Sequence, residues 1–327
     1  MAMVNTVLGP ISTDELGPTL IHEHLLLAYP GWECDALAVP YDREAITTAC
    51  VEALERAKAY GMRTMVDATP IDLGRDVELQ KQVSERAGIN IICATGLYME
   101  AMGKPAYFKF RSQAFDVSIE MYEIFMKEIT QGIGDTGVKA GVIKVATGHG
   151  EISAYEEMVL KAAARAQKDT GTPIITHTEE GTMGPEQAAL LISEGAAPER
   201  IVIGHIGGNA NLQYHISILE KGVYIAFDRL GLEFMFPDTL RKACIIGLVS
   251  IGYADRIMLS HDYCGDYSVC WQGRPFEVPD FAKPLFANWS YAHVFKDIIP
   301  ALKEAGVSDD KIDTMMVQNP RRLFSGE

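Results

Sequence analysis

Short apolar runs alternate with longer amphipathic stretches along almost the whole chain. The runs at 19–27, 62–69, 90–97, 140–147, 172–178, 200–206, 222–229 and 256–262 are mostly rich in Val, Ile, Leu and Thr. Turn residues flank them, so they predict strands. Between them, Arg43 to Tyr60 places Ile46, Ala49, Cys50, Ala53, Leu54 and Ala57 at the spacing of one helix face. Ser118 to Ile129, Ala154 to Lys168, Pro185 to Ser193 and Leu212 to Lys221 repeat that pattern. Trp289 to Ala305 predicts a long closing helix, and Asp309 to Phe324 one or two short ones. Eight strand–helix units in series predict an α/β fold of the closed (β/α)8 type, a TIM barrel. The competing architecture is an open doubly wound sheet, but no early strand is followed by Gly-x-Gly-x-x-Gly. No linker, composition shift or repeat divides the chain, so 1–327 reads as one domain. Two stretches are too long for ordinary connections, Met99 to Asp116 and Tyr263 to Asn288.

The polar residues that interrupt the apolar runs carry the chemistry. His22 and His24 sit two apart in Thr19-Leu20-Ile21-His22-Glu23-His24-Leu25, and residues two apart on a strand share a face. Two imidazoles on one face can reach one cation. Hydrogen-bonded core histidines would explain that pair alone as well. Further along, Lys144 lies inside Ala140 to Ala146, while His177, His205 and Asp262 each close a hydrophobic run. A parallel barrel carries its functional groups at those C-terminal strand ends. The succession points to a metal site.

Composition narrows the partners. The 327 residues carry a formal net charge of −15 with no acidic block, the opposite of the basic footprint that nucleic acid requires. No apolar run approaches membrane-spanning length, so no membrane partner is expected. The start, Met1 to Thr13, lacks a signal-type pattern. The cysteines, Cys34, Cys50, Cys93, Cys244, Cys264 and Cys270, form no Cys-x-x-Cys pair and read as reduced thiols of a cytoplasmic protein.

Four histidines, a lysine and an aspartate suit two metal ions better than one. A two-metal site holds its ions about 3.5–4 Å apart and generates a nucleophile between them. Such a pair needs a bridging anion, and a lysine ammonium has no acceptor. Burial in an apolar strand favours loss of the ammonium proton. The neutral amine can then capture carbon dioxide as a carbamate, and Lys144 is read as that bridge. A Schiff-base lysine and a purely structural lysine whose tail reaches a salt bridge are the other two readings.

Gly9-Pro10-Ile11, Leu16 to His24, Ala94-Thr95-Gly96-Leu97-Tyr98, Ile143-Lys144-Val145-Ala146, Ile174-Ile175-Thr176-His177, Gly204-His205-Ile206-Gly207, Phe227-Asp228-Arg229-Leu230-Gly231 and Ser260-His261-Asp262-Tyr263-Cys264 together resemble the phosphotriesterase family of the amidohydrolase superfamily. Within it the phosphotriesterase-like lactonases are most similar. The likeness runs in order from about Leu8 to Phe324. It implies a binuclear centre at the barrel's C-terminal face. His22, His24 and Asp262 would hold the more buried ion and His177 and His205 the more exposed one. Carbamylated Lys144 and a hydroxide would bridge them, and Asp262 would act as general base. The resemblance places Tyr98 and Arg229 against a lactone. Without it, Tyr98 reads as a capping aromatic and Arg229 as a partner of Asp228 or Glu233. A homodimer is likewise implied. Zinc is the default ion on availability; iron, cobalt or manganese would also suit the ligands.

The last long loop is unusually apolar, with Tyr263, Cys264, Tyr267, Trp271, Phe276, Phe281, Leu285 and Phe286. A ligand with a fatty or aromatic tail, or a second subunit, would explain it. Tyr263, Cys264 and Trp271 are the pocket candidates there, although Trp271 lies further from Asp262 than the family spacing implies. His149 is expected at the mouth without ligating, and His261, next to Asp262, to point away from the interior. Cys93 and Cys264 read as inert buried thiols. The expected activity is hydrolysis of N-acyl-homoserine lactones or related γ/δ-lactones, with promiscuous hydrolysis of phosphotriesters. The alternatives are a primary organophosphate triesterase or aryl esterase, and a barrel that binds a ligand without turnover.

Overall fold

The computed structural model describes residues 2–274 and 278–327, apart from the side chains of 267 and 268. Phe276 and the side chain of Tyr267, expected in the apolar last loop, lie outside the described residues. The chain opens with an antiparallel hairpin of β1 (Met3–Thr6) and β2 (Gly9–Ser12). Eight parallel strands follow in sequence order: β3 (Thr19–Glu23), β4 (Thr64–Asp67), β5 (Asn90–Gly96), β6 (Val142–Thr147), β7 (Ile174–Thr178), β8 (Ile201–Ile203), β9 (Tyr224–Phe227) and β10 (Ile257–Leu259). Each pairs with its neighbour in sequence, as a barrel with helical crossovers requires. The open doubly wound alternative is excluded.

First and last strands meet just beyond their ladders. His22 N donates to Ser260 Oγ at 3.0 Å, Asp262 N to His22 O at 3.1 Å and His24 N to Tyr263 O at 2.9 Å. The seam is therefore made by the same segments that carry the candidate ligands.

Inward-facing residues of successive strands fill the barrel: Ile21, Val66, Ile92, Val142, Ile175, Val202 and Met258. Val4 of the hairpin, Leu16, Leu323 and Phe324 join this layer. The helices pack outside it. The helix Arg43–Lys58 starts where Asp42 accepts from Ala45 N and buries Ile46, Cys50, Ala53, Leu54 and Ala57 on one stripe. Each fully buried aliphatic side chain contributes roughly 1.5–3 kcal/mol by leaving water. The helix Ala154–Thr170 is opened by a Ser153/Glu156 capping box and ended by Gly171 at φ 71°.

Two helices fall where the apolar pattern predicts none, Val77–Ala87 and Asp238–Ser250. Their inner faces bury polar side chains, Gln80 and Ser84 in one and Asp238 and Arg241 in the other, which breaks the hydrophobic stripe. The long connection after β5 holds a short helix, Pro105–Arg111. The closing helix begins later than expected, as a π turn at Val294–Ile298 continued by Ile299–Glu304. Among the described residues no helix is long and apolar enough to cross a membrane.

Candidate metal centre

The residues that interrupt the strands converge at one end of the barrel. His22 and Glu23 end β3, and alternation turns them to opposite sides. His22 Nε2 and His24 Nε2 lie 3.5 and 3.1 Å from Asp262 Oδ1. Glu23 faces the other way, accepting from Ser260 Oγ at 2.6 Å, His261 Nδ1 at 2.7 Å and Tyr263 N at 2.9 Å. His261 therefore points away from the centre, as expected. Lys144 projects from β6 with its Nζ 2.6 Å from His22 Nε2. Its backbone lies against Gly96 at φ 115°, where an added Cβ would sit 1.8 Å from Lys144 O. Only glycine lets β5 pass that close.

His205 follows β8 after one glycine, Gly204, and its Nε2 is 3.6 Å from Asp262 Oδ2. His177 lies within β7 and its ring meets that of His205 edge to face at 4.5 Å. His205 and Asp262 both adopt left-handed backbone, φ 61° and 55°. Such conformations cost a non-glycine residue on the order of 1–3 kcal/mol and tend to gather at functional sites.

Outer partners orient the imidazoles. Asp228, fully buried, accepts from His22 Nδ1 at 2.7 Å, His205 Nδ1 at 3.0 Å and His205 N at 2.7 Å. His24 Nδ1 contacts Thr69 Oγ1 at 2.8 Å. These contacts leave Nε2 of all three rings facing inward. Burial lowers the His22 and His177 pKa values to about 4 and that of His205 well below its ordinary value, so the rings are neutral at neutral pH. Burial likewise lowers Lys144 to about 8. Burial opposes ionisation of Asp262, but His205, Arg229 and the neighbouring histidines outweigh it and hold the carboxyl well below its usual range.

Neutral imidazoles with inward lone pairs beside an ionised carboxylate are the donor set of a divalent ion. Ligand atoms of His22, His205 and Asp262 lie within 4.8 Å of one another. The residues present thus fit a metal. Iron, zinc, cobalt and manganese all accept these donors.

A cavity of about 310 Å³ opens onto this cluster. Tyr98 and Arg229 line it as anticipated, the tyrosine hydroxyl 3.3 Å from His177 Nδ1 and Arg229 Nε donating to Asp262 Oδ2 at 2.9 Å. Arg229 thus pairs with Asp262, and neither Asp228 nor Glu233 is its salt-bridge partner. Trp271 also lines the cavity, its ring 5.8 Å from that of Tyr29. The longer spacing from Asp262 does not remove it from the wall.

Tyr263 and Cys264 do not line the cavity, contrary to expectation. The left-handed turn at Asp262 ends strand alternation. Tyr263 stacks edge-on against Trp289 and Tyr291, and Cys264 is buried with its thiol on Cys270 O. Cys93 is buried with its thiol on Lys139 O, away from the cluster. His149 is exposed beside Glu180, while His215 and His293 serve structural contacts with Ile206 O and Asp238. Sequence reading missed Asp228, Thr69, Glu179 and the cavity residues Tyr29, Leu232, Phe234 and Trp289. Asp228 carries a signal, since it directly follows the apolar strand β9 as a polar residue at its C-terminal end.

A model of the phosphotriesterase family matches residues 2–324. The chain belongs to the phosphotriesterase family. It is a hydrolase of that family, whose members carry a binuclear divalent metal centre. An organophosphorus hydrolase from Deinococcus radiodurans superposes with a TM-score of 0.95 at 44% identity, over 98% of this chain and 96% of that one. An aryldialkylphosphatase from Saccharolobus solfataricus is 36% identical over 96% of this chain and 97% of its own length. A phospho-furanose lactonase from Mycoplasmopsis synoviae is 31% identical over 98% and 91%. Family membership and the barrel described above agree on the fold.

Proposed function

We propose that the protein, a single hydrolase domain over residues 1–327, opens lactones, namely N-acyl-homoserine lactones or related γ/δ-lactones. Weaker hydrolysis of organophosphate triesters accompanies this activity. One observation carries the reading: a cavity walled by Tyr29, Leu232, Phe234, Trp271 and Trp289 descends to a floor of histidines, Tyr98, Arg229 and Asp262. The apolar wall suits an acyl tail and the polar floor an ester.

His22, His24 and Asp262 would hold one ion and His177 and His205 the other, and Lys144, carbamylated, would supply the anionic ligand the pair requires. When bound, two divalent ions, zinc by default, supply a Lewis acid for the carbonyl oxygen and an acidified water. The buried Lys144 amine has no carboxylate within salt-bridge distance among the described residues, and its lowered pKa supports capture of carbon dioxide with release of a proton. Asp262, ionised and held by His24 and Arg229, accepts the proton of the attacking water. Water adds to the lactone carbonyl carbon. The ring C–O bond then breaks and the proton passes to the departing oxygen, giving a hydroxy acid. Tyr98 and Arg229 face the reacting ester and orient it.

The relatives named for organophosphate hydrolysis favour a second reading, a primary triesterase with the same centre. Comparing kcat/KM for acyl-homoserine lactones and for a diethyl aryl phosphate decides. A triester preference of orders of magnitude refutes the lactonase reading. If lactones win, the enzyme fits quorum quenching. Five buried thiols support a reducing, cytoplasmic setting. The exposed Tyr107, Phe110 and Phe115 support a homodimer.

A further inference from the structure

We propose that Glu179 is a positioning residue that fixes the tautomer of His177 and turns its Nδ1 toward the second ion. The inference rests on the metal-centre reading above. His177 differs from the other three histidines of the cluster. Their Nδ1 atoms are taken by Asp228 or Thr69, and Nε2 faces inward. In His177 the arrangement is reversed. Its Nε2 is 2.8 Å from Glu179 Oε2, and Nδ1 faces the Tyr98 hydroxyl at 3.3 Å.

The reversal has a local cause. His177 and Glu179 are two apart, and β7 is extended through Thr178, so both side chains leave the strand on the same side. The chain then leaves the strand in a short 3-10 turn at Glu179–Gly181, with Glu180 at φ 52°. A carboxylate accepts and does not donate. It therefore requires the proton on Nε2, which leaves the lone pair on Nδ1. A ring with the other tautomer would present an N–H where the ion needs a donor. Carboxylates in this relation to a metal-bound imidazole fix ring orientation and typically account for ten- to a hundredfold in metal affinity. Glu179 also lines the cavity, with a side chain 26% exposed, whereas Asp228 and Thr69 do not.

The test uses full-length protein, zinc and three variants, with 15N-labelled histidine for the tautomer readout. In metal-free wild type, long-range 1H–15N spectra should show His177 protonated on Nε2. Glu179→Ala should mix its tautomers and weaken binding of the second zinc ten- to a hundredfold in chelator competition, leaving the first zinc unchanged. Glu179→Gln, which keeps an acceptor oxygen and can rotate it into place, should recover most of that loss. Glu179→Leu, which fills the volume without an acceptor, should behave like alanine. Wild-type affinity for the second zinc in Glu179→Ala, or an unchanged tautomer, overturns the proposal. Equal losses in the Gln and Leu variants also overturn it. Wild type that binds fewer than two zinc ions removes it together with the metal-centre reading. A second-zinc defect in Glu179→Ala alongside a wild type that opens no lactone sustains the positioning role and sinks the substrate reading alone.

Discussion

Replacing Asp228 by asparagine should damage metal binding more than folding. The carboxylate is fully buried and accepts three N–H groups, from His22 Nδ1, His205 Nδ1 and His205 N. Burial works against its charge, yet His22 and Arg229 keep its pKa below the usual value, so it is an anion in the folded protein. Asparagine has the same shape but only one acceptor oxygen. If that oxygen keeps the His205 contacts, the amide NH2 faces His22 Nδ1. The His22 proton must then move to Nε2, which is the nitrogen that faces Lys144 and Asp262. Exchanging three bonds to a charged acceptor for neutral ones costs about 1 kcal/mol each. Relief of a buried carboxylate offsets much of that. The net loss of stability should be about 1 kcal/mol. The misplaced proton acts on the ion instead, and an outer-partner change of this kind weakens binding ten- to a hundredfold, about 1.4–2.8 kcal/mol. Chelator competition on wild type and Asp228→Asn reads the affinities, and urea unfolding of the metal-free proteins reads stability. Wild-type affinity for both ions in Asp228→Asn would refute the reasoning.

Three more outcomes are expected. Lys144→Ala should lose the more exposed ion and most activity, and added acetate or propionate should restore part of both; full metal content with near wild-type turnover would end the carbamate reading. His293 is buried, which lowers its pKa, but bonds to Asp238 and Asp297 outweigh this and raise it above 6.5. That contribution is complete below the unfolded value and fades as pH rises through the folded one, so His293→Gln should lower the melting temperature more near pH 6 than near pH 9, and equal losses at both would refute it. Cys34 is the exposed cysteine among six. A thiol reagent should therefore find one fast-reacting group in the native protein and six after denaturation; two or more fast groups would contradict the burial.

The ligand candidates are legible because each is a polar residue within, or just past the C-terminal end of, an apolar run. His22, His24, Lys144, His177, His205 and Asp262 announce themselves as polar residues where the barrel should be dry. Their partners do not. Asp228 sits in Phe227-Asp228-Arg229, where a carboxylate beside an arginine reads as a surface pair. Only the convergence of β3, β8 and β9 reveals the two imidazoles it serves. Glu23 lies between two candidate ligands, yet its partners Ser260 and His261 are far away in sequence. The errors have equally local causes. The apolar character of the loop after Asp262 makes Tyr263 and Cys264 read as cavity wall, whereas the left-handed residue at 262 turns the chain so that both pack behind it. The sequence pattern includes Trp289 in the closing helix, whereas its indole donates to His261 O at 2.8 Å and its ring lines the cavity. Buried polar residues such as Gln80 and Arg241 hid two helices whose caps, Asp76 and Pro237, are plain in retrospect.

The seam where the barrel closes has a consequence in time. His24 and Asp262 touch across 238 positions of sequence, and the hydrogen bonds that join the two ends of the barrel run through these same segments. A growing chain emerging from the ribosome holds His22 and His24 almost from the start, but Asp262, the carboxylate that faces both, does not exist until the last strand has been made. Long-range closure of this kind is slow compared with helix formation. Metal capture is then a late event, coupled to the completion of the barrel and unable to guide its early steps. The ions would act as a latch on a finished cylinder, and a chain stalled before residue 262 would have nothing to latch.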